Sequence, residues 1–171
     1  AQHAERAQSI VDPDVPVYAI PESALETVTG VHFHRGVVGV AERPAALAPA
    51  EVLAGARRVL ILEAVNDYEN LGSLFRNAVA FGVGAVLLDP TTADPLYRRS
   101  TRVSLGHVLR VPFARVGVDE WPTILGDLRQ DGIAVLALTP APDPPALADV
   151  IDHLPDRIGV LVGAEGPGLS D

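Results

Sequence analysis

From about residue 51 onward, apolar positions fall into short runs separated by segments with helical spacing. RVLILEAV (58–65), GAVLLD (84–89), VLRVPFARV (108–116), IAVLALT (133–139) and RIGVLVG (157–163) read as strands. Between them, ENLGSLFRNAVAFG places Leu71, Leu74, Phe75, Ala78 and Phe81 on one helical stripe. YRRSTRVSLG reads as a further helix. WPTILGDLRQDG is amphipathic with Gly132 at its end, and PPALADVIDHL holds a short helix. The strands are nearly continuous apolar runs, not in/out alternations. That pattern predicts an α/β fold, a parallel sheet with helices on both faces.

Residues 1–41 do not continue this alternation. VPVYAIPESALETVTGVHFHRGVVGV holds two short β-rich runs around a helical turn, too little for a core of its own. It reads as the end of an upstream domain. Residues 42–50, rich in Ala and Pro, read as a linker, and 51–171 as the main domain. No role is assigned to His32, His34 or Arg35.

Composition narrows the class. The chain has 171 residues, 48% hydrophobic and 20% charged, which suits a globular protein. No apolar run reaches membrane-spanning length, and AQHAERAQSI lacks the order of a secretory signal. Cysteine is absent, so no thiolate site or disulfide framework exists; the five His show no zinc spacing. These features favour a cytoplasmic protein without a metal. The net charge of −9 argues against indiscriminate coating of nucleic acid but leaves room for a local basic surface. Arg98, Arg99, Arg102, His107, Arg110 and Arg115 form such a stretch, free of acids. From charge alone, a solvated face is the favoured reading.

Three constellations could carry chemistry. Asn66-Asp67-Tyr68-Glu69-Asn70-Leu71-Gly72 opens a helix after a strand, where ligands gather in parallel sheets. Asn66 and Asp67 are also ordinary helix caps. Arg76 on the same helix faces away from the apolar stripe, as a surface arginine would too. Gly163-Ala164-Glu165-Gly166-Pro167-Gly168 follows the last strand and suits either a sharp turn or close backbone approach to a ligand. It is neither G-x-G-x-x-G nor a Walker loop, which speaks against a dinucleotide oxidoreductase. Ser104-Leu105-Gly106-His107 is weak alone.

Taken in order, LEAVNDYENLGSLFRNAVAFGVGAVLLD, RVSLGHVLRVPF and LVGAEGPGLS resemble the motifs of the SpoU (TrmH-like) branch of the SPOUT methyltransferases over about residues 50–171. HFHRGVVGV is similar to the end of the family's upstream RNA-recognition domain. The resemblance implies transfer of a methyl group from S-adenosylmethionine to a ribose 2'-hydroxyl of RNA, ribosomal RNA ahead of transfer RNA. It implies Asn70, Arg76 and Glu165 as catalytic residues, and Thr139, Gly163, Glu165, Gly166 and Gly168 around the cofactor. Arg98, Arg99, Arg102, Ser104, His107 and Arg110 would meet RNA. It further implies a C-terminal trefoil knot and a homodimer. The family often has Pro where Tyr68 stands. The family's third motif, a Ser/Leu/Asn-bearing helix after the glycine loop, is not among these residues. A polypeptide ending at Asp171 is therefore expected to bind S-adenosylmethionine poorly. The alternative is a catalytically inactive RNA-binding or ribosome-assembly factor of the same fold.

Overall fold

The computed structural model describes residues 2–30, 37–140 and 144–170, and divides the chain into two compact units, Ala1–Pro44 and Ala45–Asp171. The first unit contains helices α1 (Gln2–Gln8) and α2 (Glu22–Thr29). α2 ends at Gly30, whose left-handed φ of 67° lets its N–H reach the Glu26 carbonyl. The helix between the two β-rich runs is thus present. The runs themselves are not strands where they are described: residues 15–20 and 37–40 are unpaired. β-rich composition makes a strand only when a neighbouring strand takes up its backbone hydrogen bonds. His32, His34 and Arg35 lie outside the described residues.

In the second unit, helix α3 (Pro49–Leu53) leads into strand β1 (Arg58–Leu62). Then come α4 (Tyr68–Ala80), β2 (Ala85–Leu88), α5 (Arg98–Val103), a 3-10 turn (His107–Leu109) and β3 (Phe113–Arg115). The chain continues through α6 (Trp121–Gln130), β4 (Ala134–Ala137), α7 (Leu147–Val150) and β5 (Ile158–Val162). The five strands form one sheet in the order β3-β2-β1-β5-β4, every pairing parallel.

Both faces of the sheet's middle are covered, which is why its strands read as unbroken apolar runs. On one face, α3 and α6 pack Val52, Leu53, Ile124 and Leu128 against Ile61, Leu87 and Leu161. On the other, α4 packs Leu71, Phe75 and Ala78 against Leu60, Leu62, Val86 and Leu88. Phe75 meets Phe113 edge-on at 5.7 Å between ring centroids.

Two expectations shift. The run 108–116 pairs only from Phe113, because residues 107–109 form the 3-10 turn. Val108 and Val111 in this stretch pack on α4 instead of joining the sheet. Phe81 does not share the buried stripe; it caps α4 and is 73% exposed.

Candidate active site

The strand order reverses between β1 and β5: β2 and β3 extend the sheet one way from β1, while β5 and β4 extend it the other. In open parallel sheets, ligand crevices form beyond the C-terminal strand ends at such a reversal. The two segments that meet there are the β1–α4 loop and the glycine loop after β5, and they carry the first and last motifs.

The β1–α4 loop is held by its neighbours. Ala64 adopts φ 54°, a left-handed conformation uncommon for a residue with a Cβ. The Val65 N–H donates to the Thr92 hydroxyl at 3.2 Å, and that hydroxyl donates to the Leu62 carbonyl at 3.3 Å. Ala93 N–H closes on the Val65 carbonyl at 3.0 Å. Beneath them Asp89, buried at the end of β2, accepts from the Thr92 N–H and the Thr91 hydroxyl, each at 2.6 Å. Burial pushes the Asp89 carboxyl up, but hydrogen bonds from Thr91, Thr92 and the Ala64 backbone outweigh it and hold the group below its ordinary value. Asp67 then caps α4, its Oδ1 accepting from the N–H groups of Glu69 and Asn70 at 2.8 Å. The cap reading of Asp67 is correct.

The glycine loop folds back over its own start. Gly168 N–H donates to the Ala164 carbonyl at 3.0 Å, and Gly166 and Gly168 take φ of 96° and 77°. A Cβ on Gly163 would collide with the carbonyl group of Gly168, so no side chain fits there. Two bonds tie the loop to the first motif. Asn70 Nδ2 donates to Glu165 Oε2 at 3.0 Å, and Ser170 N–H donates to Oε1 of buried Glu63 at 3.2 Å. Leu169 packs into the core on the α3/α6 face. Extending the β4–β5 register, in which Ala137 pairs Leu161, sets exposed Thr139 level with Gly163.

The structure thus brings Asn70, Glu165, Gly163, Gly166, Gly168 and Thr139 to one edge. Arg76 is exposed on α4 and makes no hydrogen bond or ion pair among the described residues. It lies six residues beyond Asn70, about 9 Å along the helix and about 120° around it, and Asn70 bonds Glu165 instead.

The arginine stretch does not behave as one unit. Arg98 and Arg102 are exposed on α5, with no partner among the described residues. Arg99 bonds Glu69 through Nη2 at 2.5 Å and Nε at 3.1 Å. That hydrogen bond and the Glu69 charge raise Arg99 above its ordinary value. Arg115, by contrast, is structural: it donates to the carbonyls of Asp89, Pro90 and Ala93 and fixes the β2–α5 loop. Ser104 is fully buried and its hydroxyl donates to the Thr101 carbonyl, so it supports the turn bearing Leu105 (φ 55°) and His107 without facing solvent. Exposed Arg110 and half-buried His107 lie toward β3's start, the edge away from the glycine loop.

Glu63, Asp89, Thr92 and the tyrosines at 68 and 97 were not singled out as site residues by sequence. An acid closing each apolar strand, Glu63 after VLIL and Asp89 after AVLL, was the available signal. A cavity of about 470 Å³, lined by Leu60, Leu74, Ala78, Phe81, Ile158 and Val160, lies between the C-terminal half of α4 and strands β1 and β5 and is no part of this site.

The family model described as the SpoU rRNA Methylase family matches residues 57–171. The chain belongs to that family. It is 46% identical over 171 residues to an uncharacterized tRNA/rRNA methyltransferase of Mycobacterium tuberculosis, a match covering 98% of this chain and 58% of the relative. It is 28% identical over 166 residues to the 23S rRNA (guanosine(2553)-2'-O)-methyltransferase RlmP of Bacillus subtilis, covering 96% of this chain and 62% of that protein. The chain therefore spans about three-fifths of these relatives' length. Among solved structures, an AdoMet-bound rRNA methyltransferase from Sinorhizobium meliloti is similar with a TM-score of 0.57 and 29% identity, over 67% of this chain and 42% of that one. The SpoU methyltransferase AviRb from Streptomyces viridochromogenes shares the fold, with a TM-score of 0.61 and 23% identity over 74% of this chain and 49% of that one.

Proposed function

We propose that this chain is the catalytic part of an enzyme that transfers a methyl group from S-adenosylmethionine to a ribose 2'-hydroxyl of RNA, with ribosomal RNA as the substrate class. One observation carries the reading. The Asn70–Glu165 bond locks the motif that bears Arg76 to the glycine loop, at the edge where parallel sheets bind ligands. The AdoMet-bound Sinorhizobium relative and the 2'-O-methyltransferase of Bacillus subtilis support the choice of cofactor and acceptor.

The loop's chemistry fits that cofactor. Gly166 and Gly168 have left-handed backbone, and around either one a Cβ would meet nothing within 4 Å, so main-chain groups are approachable. Thr139, Gly163, Gly166 and Gly168 would hold the cofactor, which supplies an electrophilic methyl group. The protein's task is then alignment and charge stabilisation. Arg76 cannot serve as the base, because guanidinium stays protonated. Its planar fork instead suits an RNA phosphate and the charge that develops on the attacking oxygen. Asn70 positions Glu165, and Glu63 holds the other end of the loop through Ser170. The enzyme acts as a cytoplasmic homodimer in this reading.

The test is transfer of isotopically labelled methyl groups to ribosomal RNA by the full protein, followed by mass spectrometry of the digested nucleosides. Label in a 2'-O-methylribose is expected. Label on a base would overturn the acceptor. RNA binding without transfer would favour the inactive-factor alternative.

A further inference from the structure

The first residue of α4 and the residue preceding α5 bring two tyrosines together. The Tyr68 and Tyr97 rings lie 4.3 Å apart between centroids, tilted by 37°. Tyr97 is 41% exposed and Tyr68 is half-buried. Neither hydroxyl has a hydrogen-bond partner among the described residues. Tyr97 occupies the N-cap of α5 and makes no side-chain capping bond. That position ordinarily favours Ser, Thr, Asp or Asn, so the local rule is broken without a gain for the helix. Tyr68 is likewise unnecessary for starting α4, because Asp67 already satisfies two of its free N–H groups.

The surroundings explain what the pair could serve. A Cβ on Gly72 would lie 2.7 Å from the Ser100 carbonyl oxygen, so α4 and α5 touch backbone to backbone. The Ser100 hydroxyl donates to the Tyr68 carbonyl at 3.2 Å, and Arg99 bonds Glu69. Exposed Arg98 follows Tyr97 directly in the chain, and exposed Arg102 lies one turn beyond Arg98 on α5. Tyr68 stands two residues before Asn70 of the site edge.

We propose that the Tyr68–Tyr97 pair is a stacking platform for an unpaired RNA nucleobase near the target ribose, with Arg98 and Arg102 holding the adjoining phosphates. The inference rests on the RNA methyltransferase reading. Sequence-tolerant recognition of single strands combines aromatic faces with arginines along the backbone. Tyr97 already leans on Tyr68, so a base that stacks on its outer face orders no further side chain. A duplex presents no free base face and would gain nothing from the pair.

The experiment compares wild type, Tyr97→Ala, Tyr97→Phe and Arg98→Gln in the full protein. The probes are a mixed-sequence single-stranded oligoribonucleotide and the duplex of the same sequence. Tyr97→Ala should weaken single-strand binding about tenfold and leave duplex binding unchanged, while Tyr97→Phe keeps wild-type affinity. The thermal midpoint of each variant checks that the fold is retained. If Tyr97→Ala binds the single strand as wild type does while Arg98→Gln binds it more weakly, the platform is wrong and the RNA reading stands. Equal losses on both probes would likewise overturn the platform. Absence of RNA binding by wild type would overturn both.

Discussion

At the scale of single residues, Arg76 and Asp89 matter in opposite ways. Arg76 is exposed and bonds nothing among the described residues, so its removal should leave the fold intact. Arg76→Ala should abolish methyl transfer with a thermal midpoint close to wild type. Arg76→Lys should fail as well, because an ammonium cannot reproduce the two-pronged contact. Near-normal turnover in the Lys variant would rule out the clamp. Asp89 is buried and structural. Its folded-state value is depressed, so the unfolded chain takes up a proton more readily as the pH drops. The stability it contributes is complete above its unfolded value near pH ~4 and is lost as pH falls through the lower folded value. Asp89→Asn should lower the thermal midpoint at pH 7 and flatten its acid-side decline. An equally steep decline in the variant would refute the assignment.

At the scale of elements, close approach is enforced by two glycines. Gly163 lies under the returning glycine loop, and Gly72 under the Ser100 carbonyl. Neither position has a positive φ, so the constraint is space and not backbone conformation. Gly163→Ala should displace the loop and weaken S-adenosylmethionine binding, with about 1–3 kcal/mol of destabilisation from overpacking. Gly72→Ala should cost a similar amount by parting α4 from α5, and should reduce RNA affinity more than cofactor affinity. Calorimetry with each ligand separates the two, and equal effects on both ligands would argue against the division.

At the scale of the whole molecule, the net charge of −9 must be reconciled with the proposed RNA substrate. The acids repel the polyanion in general, so binding depends on where basic groups remain free. Arg115 is committed to loop carbonyls and Arg99 to Glu69, which leaves Arg98, Arg102 and Arg110 along α5 and its following turn. Replacing Arg98 and Arg102 by Gln should reduce the slope of log affinity against log salt by about 0.7 for each phosphate of single-stranded RNA that is no longer neutralised. Arg115→Gln should instead lower stability and leave that slope unchanged. A slope unaffected by the double variant would mean these arginines are only solvated surface.

The parallel α/β architecture was legible because buried parallel strands require continuous apolar runs, and helices require a 3.6-residue stripe. That the glycine loop with Glu165 follows a strand end, and that Asn70 stands in the first turn of the helix after another strand, was legible too. Three things needed the tertiary structure. The β-rich residues 15–20 are not a strand, because pairing depends on a partner that local composition cannot reveal. The arginine stretch separates into free and committed members, because hydrogen bonds to Glu69 and to distant carbonyls are invisible in charge spacing. The contact of Asn70 with Glu165, 95 positions along the chain, exists only because β1 and β5 are neighbours in the sheet. Periodicity is local physics and can be read from the sequence; strand order is set by which apolar faces cover one another, and it alone brings these two residues within a hydrogen bond.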